Sequence, residues 1–100
     1  PAAVPPAFGL QPIETPGHSP GGVCWHHPGE GVLFSGDTLF AGSVGRTDLP
    51  GGDARVLTRS LRLLRALPDD THVYPGHGAP TTIGREKRQN IYLSRIAARP

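Results

Sequence analysis

The stretch VLFSGDTLF (residues 32–40) runs from an apolar start into a Ser-Gly break and then sets a carboxylate, Asp37, directly after it. Val32, Leu33 and Phe34 suit a strand buried in a sheet, and Ser35-Gly36 closes it. A carboxylate at the end of such a strand costs free energy unless it meets a cation, hydrogen-bond donors or water. Asp37 is therefore either a turn cap or a group with chemistry to do. Before this strand, LQPIET (residues 10–15) and GGVCWHH (residues 21–27) read as two more short strands separated by turns, so that 9–36 forms a small antiparallel sheet. After it, DTLFAGSVGRTDLPGGD (residues 37–53) is Gly-rich and too irregular for regular structure; loops of that length in compact domains are commonly functional. Asp53 then caps a helix over 54–67, with an apolar stripe of Leu57, Leu61 and Leu64 and a stop at Pro68. THVYPGHG (residues 71–78) gives a brief strand, and Thr82 caps a last helix over about 83–97. The order of strands, helix, strand, helix is that of an α+β fold.

One hundred residues allow one domain with a modest core. No run approaches the roughly 20 apolar residues of a membrane-spanning helix. Residues 1–8 are rich in Pro and Ala and lack the basic start and apolar run of a signal peptide. They read as a linker or a cut edge, with the folded part over 9–100 and the cytoplasm as the expected location. The single cysteine, Cys24, excludes an internal disulfide and agrees with a reducing compartment. Cys24 reads as a small buried hydrophobe, and Trp25 and Tyr74 as core residues. The formal net charge is +2, and Lys87 is the only lysine among ten basic residues. Arg55, Arg59, Arg62 and Arg65 recur at helical spacing opposite the leucine stripe, the pattern of a solvated helix face rather than of a nucleic-acid surface.

Two histidines stand in matching settings, PGHS at His18 and PGHG at His77, each following an expected strand and braced by Gly and Pro. His18, Asp37 and His77 thus each sit at the C-terminal end of a strand. A sheet that brings those ends together collects two imidazoles and a carboxylate at one edge, which is a ligand set for Zn²⁺, Fe²⁺ or Mn²⁺. The carboxylate has two oxygens with which to bridge two ions. A catalytic site of this kind lowers the pKa of bound water towards about 7, so the set points to hydrolysis. His26 and His27 are adjacent and decorate a strand end; His72 begins the last strand in a structural or solvent role.

TPGHSPGG (residues 15–22), VLFSGDTLF, GSVGRTDLPGGD (residues 42–53) and VYPGHGAPTTIGREKRQN (residues 73–90) together resemble the C-terminal half of metallo-β-lactamase-fold hydrolases, especially the glyoxalase II-like (hydroxyacylglutathione hydrolase-like) group. The similarity runs from about Gly9 to Leu93. It implies half of an αβ/βα sandwich, an antiparallel or mixed sheet with two helices and a metal pair at one sheet edge. By this resemblance His18 is a ligand of the first metal, Asp37 the catalytic carboxylate that bridges both, and His77 a ligand of the second. Two zinc ions are implied for the complete protein, with iron or manganese as alternatives. The family's remaining ligands come from an upstream THxHxDH motif, and no such string occurs here. The implied partner is therefore a missing N-terminal half that supplies them.

The resemblance implies hydrolysis of a small, hydroxyacylglutathione-like thioester through metal-bound hydroxide. In the loop, Arg46 and Asp48 can form a charge pair that braces the metal site from behind its ligands. Arg46 can instead meet an anionic substrate group. Lys87 and Arg85 resemble positions near the family's substrate mouth. Two other readings stay open: a non-catalytic truncated fragment with an incomplete metal site, and an iron-dependent persulfide dioxygenase. The GRTD loop also resembles the latter, which would use His18 and Asp37 but not His77.

Overall fold

Strands of two to five residues persist only when neighbours pair their backbone groups and a common apolar face is covered. The computed structural model describes residues 9–96 and shows how this chain does so. The expected linker over 1–8, and the end of the last expected helix beyond 96, lie outside the described residues. In chain order the elements are β1 (Gln11–Glu14), β2 (Val23–His27), β3 (Val32–Gly36), β4 (Leu39–Phe40), β5 (Ser43–Val44), α1 (Ala54–Arg65), β6 (His72–Pro75), β7 (Thr81–Thr82), α2 (Ile83–Gln89) and α3 (Ile91–Ser94). Five strands form one mixed sheet in the order β1-β2-β3-β6-β7, while β4 and β5 make a separate two-stranded hairpin. Neighbours in the main sheet are antiparallel except β3 and β6, which run parallel. That parallel pair matters for the site, because it puts the C-terminal ends of β3 and β6 side by side.

Strand alternation divides the sheet into two faces. On one face Cys24, Leu33 and Val73 are fully buried and join Leu39, Leu57, Leu61, Leu64, Ile83, Leu93 and Ile96 in a single core. All three helices contribute to it, so they cover this face. The expected leucine stripe of α1 is the one that packs inward, while Arg55, Arg59 and Arg62 stay exposed. Asp53 caps α1 as expected, its Oδ1 accepting from the N–H groups of Arg55 at 2.9 Å and Val56 at 3.1 Å. No helix among the described residues is long and apolar enough to cross a membrane.

Several expectations are corrected. The 37–53 loop is not wholly irregular, since β4 and β5 form a hairpin within it. The last helix is two helices, making three among the described residues. Asn90 breaks it with extended dihedrals (φ −89°, ψ 115°), and its side chain caps α3 by accepting from the Tyr92 N–H at 2.9 Å. Trp25 and Tyr74 are not core residues. Trp25 pairs with Phe34 across β2 and β3, and Phe34 with Tyr74 across β3 and β6, so the three share the face that no helix covers. Trp25 is half-buried, Phe34 is 45% exposed and Tyr74 42%. The Phe34 and Tyr74 rings lie 5.9 Å apart on this open face.

Candidate metal centre

Because β3 and β6 run parallel, and a register shift after Phe34 pairs Gly36 with Pro75, the residues that follow them emerge together. Gly76 donates its N–H to the Gly36 carbonyl at 2.9 Å, which ties the two strand exits to each other. Asp37 and His77 follow directly, and His77 Nδ1 lies 3.1 Å from Asp37 Oδ1. His18 comes from the turn between β1 and β2, with Nε2 4.0 Å from the other carboxylate oxygen, Oδ2. The three residues singled out in the sequence are thus brought to one edge of the sheet, with Asp37 between the two histidines.

The turn that carries His18 is fixed by α1. Asp53 donates its N–H to the Gly17 carbonyl at 2.8 Å, and the Ser60 hydroxyl donates to the Pro16 carbonyl at 2.7 Å. Gly17 adopts φ +137° with its Cα against the backbone of Leu57, where a Cβ would collide. Both the dihedral and the contact require glycine there. On its other side, His18 Nδ1 is 2.8 Å from the backbone oxygen of Arg46. A carbonyl only accepts, so Nδ1 carries a proton, and in the neutral ring Nε2 is then the nitrogen with the lone pair. That tautomer presents a free donor atom towards Asp37.

The fit to metal ions rests on this chemistry. Two donors on one zinc can be separated by no more than the sum of two bond lengths, about 4.2 Å for imidazole nitrogen and carboxylate oxygen. A tetrahedral ion sets such donors about 3.4 Å apart; the Asp37–His77 separation of 3.1 Å is near that spacing, and the His18–Asp37 separation of 4.0 Å lies between it and the linear limit. Among the described residues no three His, Cys, Asp or Glu side chains form a cage around one point. Instead there are two pairs that share Asp37, so each ion would have one imidazole and one carboxylate oxygen from this chain and would draw its other donors from elsewhere. His18 is the most shielded of the three at 30% side-chain exposure, whereas His77 is 78% exposed. Phe40 stands beside His77, ring centroids 6.1 Å apart.

Arg46 and Asp48 form a two-pronged pair, Nε to Oδ1 at 2.7 Å and Nη2 to Oδ2 at 2.8 Å. The Arg46 guanidinium holds the Asp48 carboxyl down to about 2. The Arg46 guanidinium is thus paired with Asp48, while its carbonyl accepts the hydrogen bond from His18 Nδ1. Lys87 does not join the cluster. Its ammonium is bound to Asp69 Oδ1 at 2.6 Å, beside the start of β6, whereas the site lies beyond that strand's other end. Arg85 likewise faces its own helix, donating to Gln89 Oε1 at 3.1 Å.

Sequence reasoning missed two groups. Gly45 is buried between the segments that carry Asp37 and His18: a Cβ there would collide with the Asp37 carbonyl oxygen and come within 3.0 Å of the His18 Cβ. Glu86, 1% exposed, lies behind the hairpin and accepts from the Gly42 N–H at 2.8 Å. The spacing of Glu86 and Asn90 at i and i+4 on a helix was the available sign that both turn to the same side.

The family model described as the metallo-beta-lactamase superfamily matches residues 3–77. Hydroxyacylglutathione hydrolase GloC of Haemophilus influenzae is 44% identical over 88 residues, which cover 87% of this chain and 42% of that protein. Among solved structures, TTHA1623 in a di-iron-bound form superposes with a TM-score of 0.83 at 53% identity, covering 86% of this chain and 43% of that one. ETHE1 from Myxococcus xanthus gives a TM-score of 0.76 at 38% identity, covering 91% and 40%. The chain thus spans about two fifths of the length of the proteins it matches.

Proposed function

This chain belongs to the metallo-beta-lactamase superfamily, and from that premise we propose that the complete protein is a metal-dependent hydrolase of small, hydroxyacylglutathione-like thioesters. The observation that carries the reading is Asp37 turned with one oxygen to His18 and the other to His77. A carboxylate placed so is suited to be shared by two ions, zinc by the preference of imidazole and carboxylate donors, or iron as in the di-iron neighbour. The chemistry such ions supply is a water made acidic enough to lose its proton near neutral pH, and positive charge against the developing oxyanion.

The chain's own residues then divide the remaining work. His18 offers Nε2 because the Arg46 carbonyl holds its Nδ1 proton. The Arg46–Asp48 pair closes the loop that aims that carbonyl. Asp37 would hold the ions with its two oxygens and offset part of their charge. The similarity to GloC supports a hydroxyacylglutathione-like thioester as substrate. The share of the relatives' length that is matched supports a further segment, of somewhat more than this chain's own length, as the source of the missing ligands. Its sheet would pack on the open face of Trp25, Phe34 and Tyr74, as the second layer of a sandwich.

The test is thioester hydrolysis by the complete protein, wild type and Asp37→Ala, followed by release of free thiol. The proposal expects turnover in the first and none in the second. Full kcat in Asp37→Ala would overturn the bridging role. Oxygen consumption with a persulfide, in place of thioester cleavage, would replace the hydrolase by a dioxygenase; the approach of His77 to Asp37 favours the hydrolase.

A further inference from the structure

Glu86 is a carboxylate buried to 1% exposure, and among the described residues no cation pairs with it. Its oxygens instead gather donors from three parts of the chain. Oε1 accepts from the Gly42 N–H at 2.8 Å and from Asn90 Nδ2 at 2.9 Å, and Oε2 accepts from the Thr81 hydroxyl at 2.7 Å. Asn90 uses its other amide proton on the Ser43 carbonyl at 3.0 Å. Glu86 and Asn90 together therefore hold Gly42 at the tip of the β4–β5 hairpin, Ser43 at the start of β5 and the first residue of β7.

The placement of those held residues is what connects the network to the site. The hairpin leaves Asp37 through Thr38 and returns through Gly45 to Arg46, whose carbonyl fixes His18. Thr81 closes the short loop that begins at His77. Asp37 stands five residues before Gly42 and His77 four before Thr81, while His18 is bonded to Arg46, three residues after Ser43. Glu86 itself touches none of Asp37, His18 and His77.

We propose that Glu86 is a positioning residue which, with Asn90, sets the mutual placement of the three metal-ligand side chains by pinning the hairpin tip and the end of the His77 loop to one buried point. This rests on the reading of His18, Asp37 and His77 as metal ligands. Burying a charge by itself disfavours folding, and only several charge-assisted hydrogen bonds offset the cost. Two of the three bonds that do so here come from segments next to the site, and the third comes from Asn90, which itself holds Ser43 of the hairpin. An apolar residue in the same place would fill the space without fixing the hairpin.

The test uses the complete protein with Glu86→Ala and Glu86→Gln, and Leu64→Ala as a variant of similar destabilisation remote from the hairpin. Two quantities are read on folded samples: Co²⁺ affinity and absorption spectrum, and the tautomer of His18 in metal-free protein by ¹⁵N NMR. Glu86→Ala is expected to weaken Co²⁺ binding by about 10- to 100-fold, the range for loss of groups that orient ligands. It should also change the spectrum and lose the single Nδ1–H tautomer of His18. Glu86→Gln keeps acceptance from Gly42 and Asn90 and should restore most of both; Leu64→Ala should alter neither. Unchanged affinity and tautomer in folded Glu86→Ala would overturn the proposal, as would equal changes in Leu64→Ala. If Glu86→Ala fails to fold, Thr81→Val removes one bond at constant shape and is judged by the same readouts. If the wild type binds no Co²⁺ through these residues, the metal reading fails, and the tautomer alone decides the positioning role.

Discussion

His18 and Arg46, 28 residues apart in sequence, are joined by a single hydrogen bond of 2.8 Å from an imidazole proton to a backbone carbonyl. This bond makes the histidine a one-sided donor, because it fixes which nitrogen keeps a free lone pair. The carbonyl in turn is aimed by a loop that the Arg46 guanidinium closes on Asp48. Orientation at this site therefore passes from a surface ion pair, through a peptide group, to a ring.

That ion pair is expected to survive well into acid. Asp48 titrates at about 2, chiefly through its bonds from Arg46 and then its own backbone N–H. A carboxyl lowered on folding contributes above its unfolded value, about 3.9, and loses that contribution as the pH falls through its folded value. The Arg46 side-chain N–H resonances should accordingly stay at their paired positions at pH 5 and move with a midpoint at about 2, the folded value of Asp48. Movement complete at pH 5 would contradict the geometry. Asp48→Asn should displace them at every pH and weaken metal binding by about 10-fold or more.

Gly45→Ala should damage the site more than the fold. The added Cβ meets the Asp37 carbonyl and crowds the His18 Cβ, so the hairpin must shift away from both ligands. Overpacking of this kind costs about 1–3 kcal/mol of stability. The expected outcome is a folded protein, by circular dichroism, whose metal content falls well below that of the wild type. Equal metal content in the two would show that the hairpin can yield without moving the ligands.

Cys24 tests the covered face of the sheet. It is fully buried, and burial pushes its thiol pKa up despite hydrogen bonds from Thr15 and Thr38 that act the other way. A thiol that is both inaccessible and reluctant to ionise reacts slowly. Iodoacetamide at pH 8 should leave Cys24 unmodified in the native chain and label it fully in denaturant, as read by mass spectrometry. Rapid native labelling would mean that the helices do not stay on the sheet.

What could be read from the sequence follows from how locally each feature is decided. The strands β1 to β3 and helix α1 announce themselves through turn residues, a capping aspartate and a leucine stripe, all within their own windows. His18, Asp37 and His77 are legible because each follows a strand and lies beside glycine. The hairpin β4–β5 and the strand β7 are two residues long, too short for any period, and exist by pairing with partners. Glu86 on its own helix looks like an exposed charge; its burial is decided by Gly42, 44 residues away. The roles of Trp25 and Tyr74 depend on which sheet face the helices choose, and no alternation pattern contains that choice.

The two faces of the sheet should therefore respond differently to mutation, and the contrast tests whether the open face awaits a second layer. Leu64 is fully buried in the chain's own core, so Leu64→Ala should cost about 2–5 kcal/mol whether or not more protein is present. Phe34 is 45% exposed and packs chiefly on Tyr74, so in the 100-residue chain Phe34→Ala should cost much less, within about 1 kcal/mol. In the complete protein a covering sheet would bury Phe34, and the same substitution should then cost about 3–5 kcal/mol, the penalty of a core aromatic. Urea unfolding of both variants in both contexts measures the difference. A small cost for Phe34→Ala in the complete protein would mean that the aromatic face stays open, and the remaining metal ligands would have to reach Asp37 from some other direction.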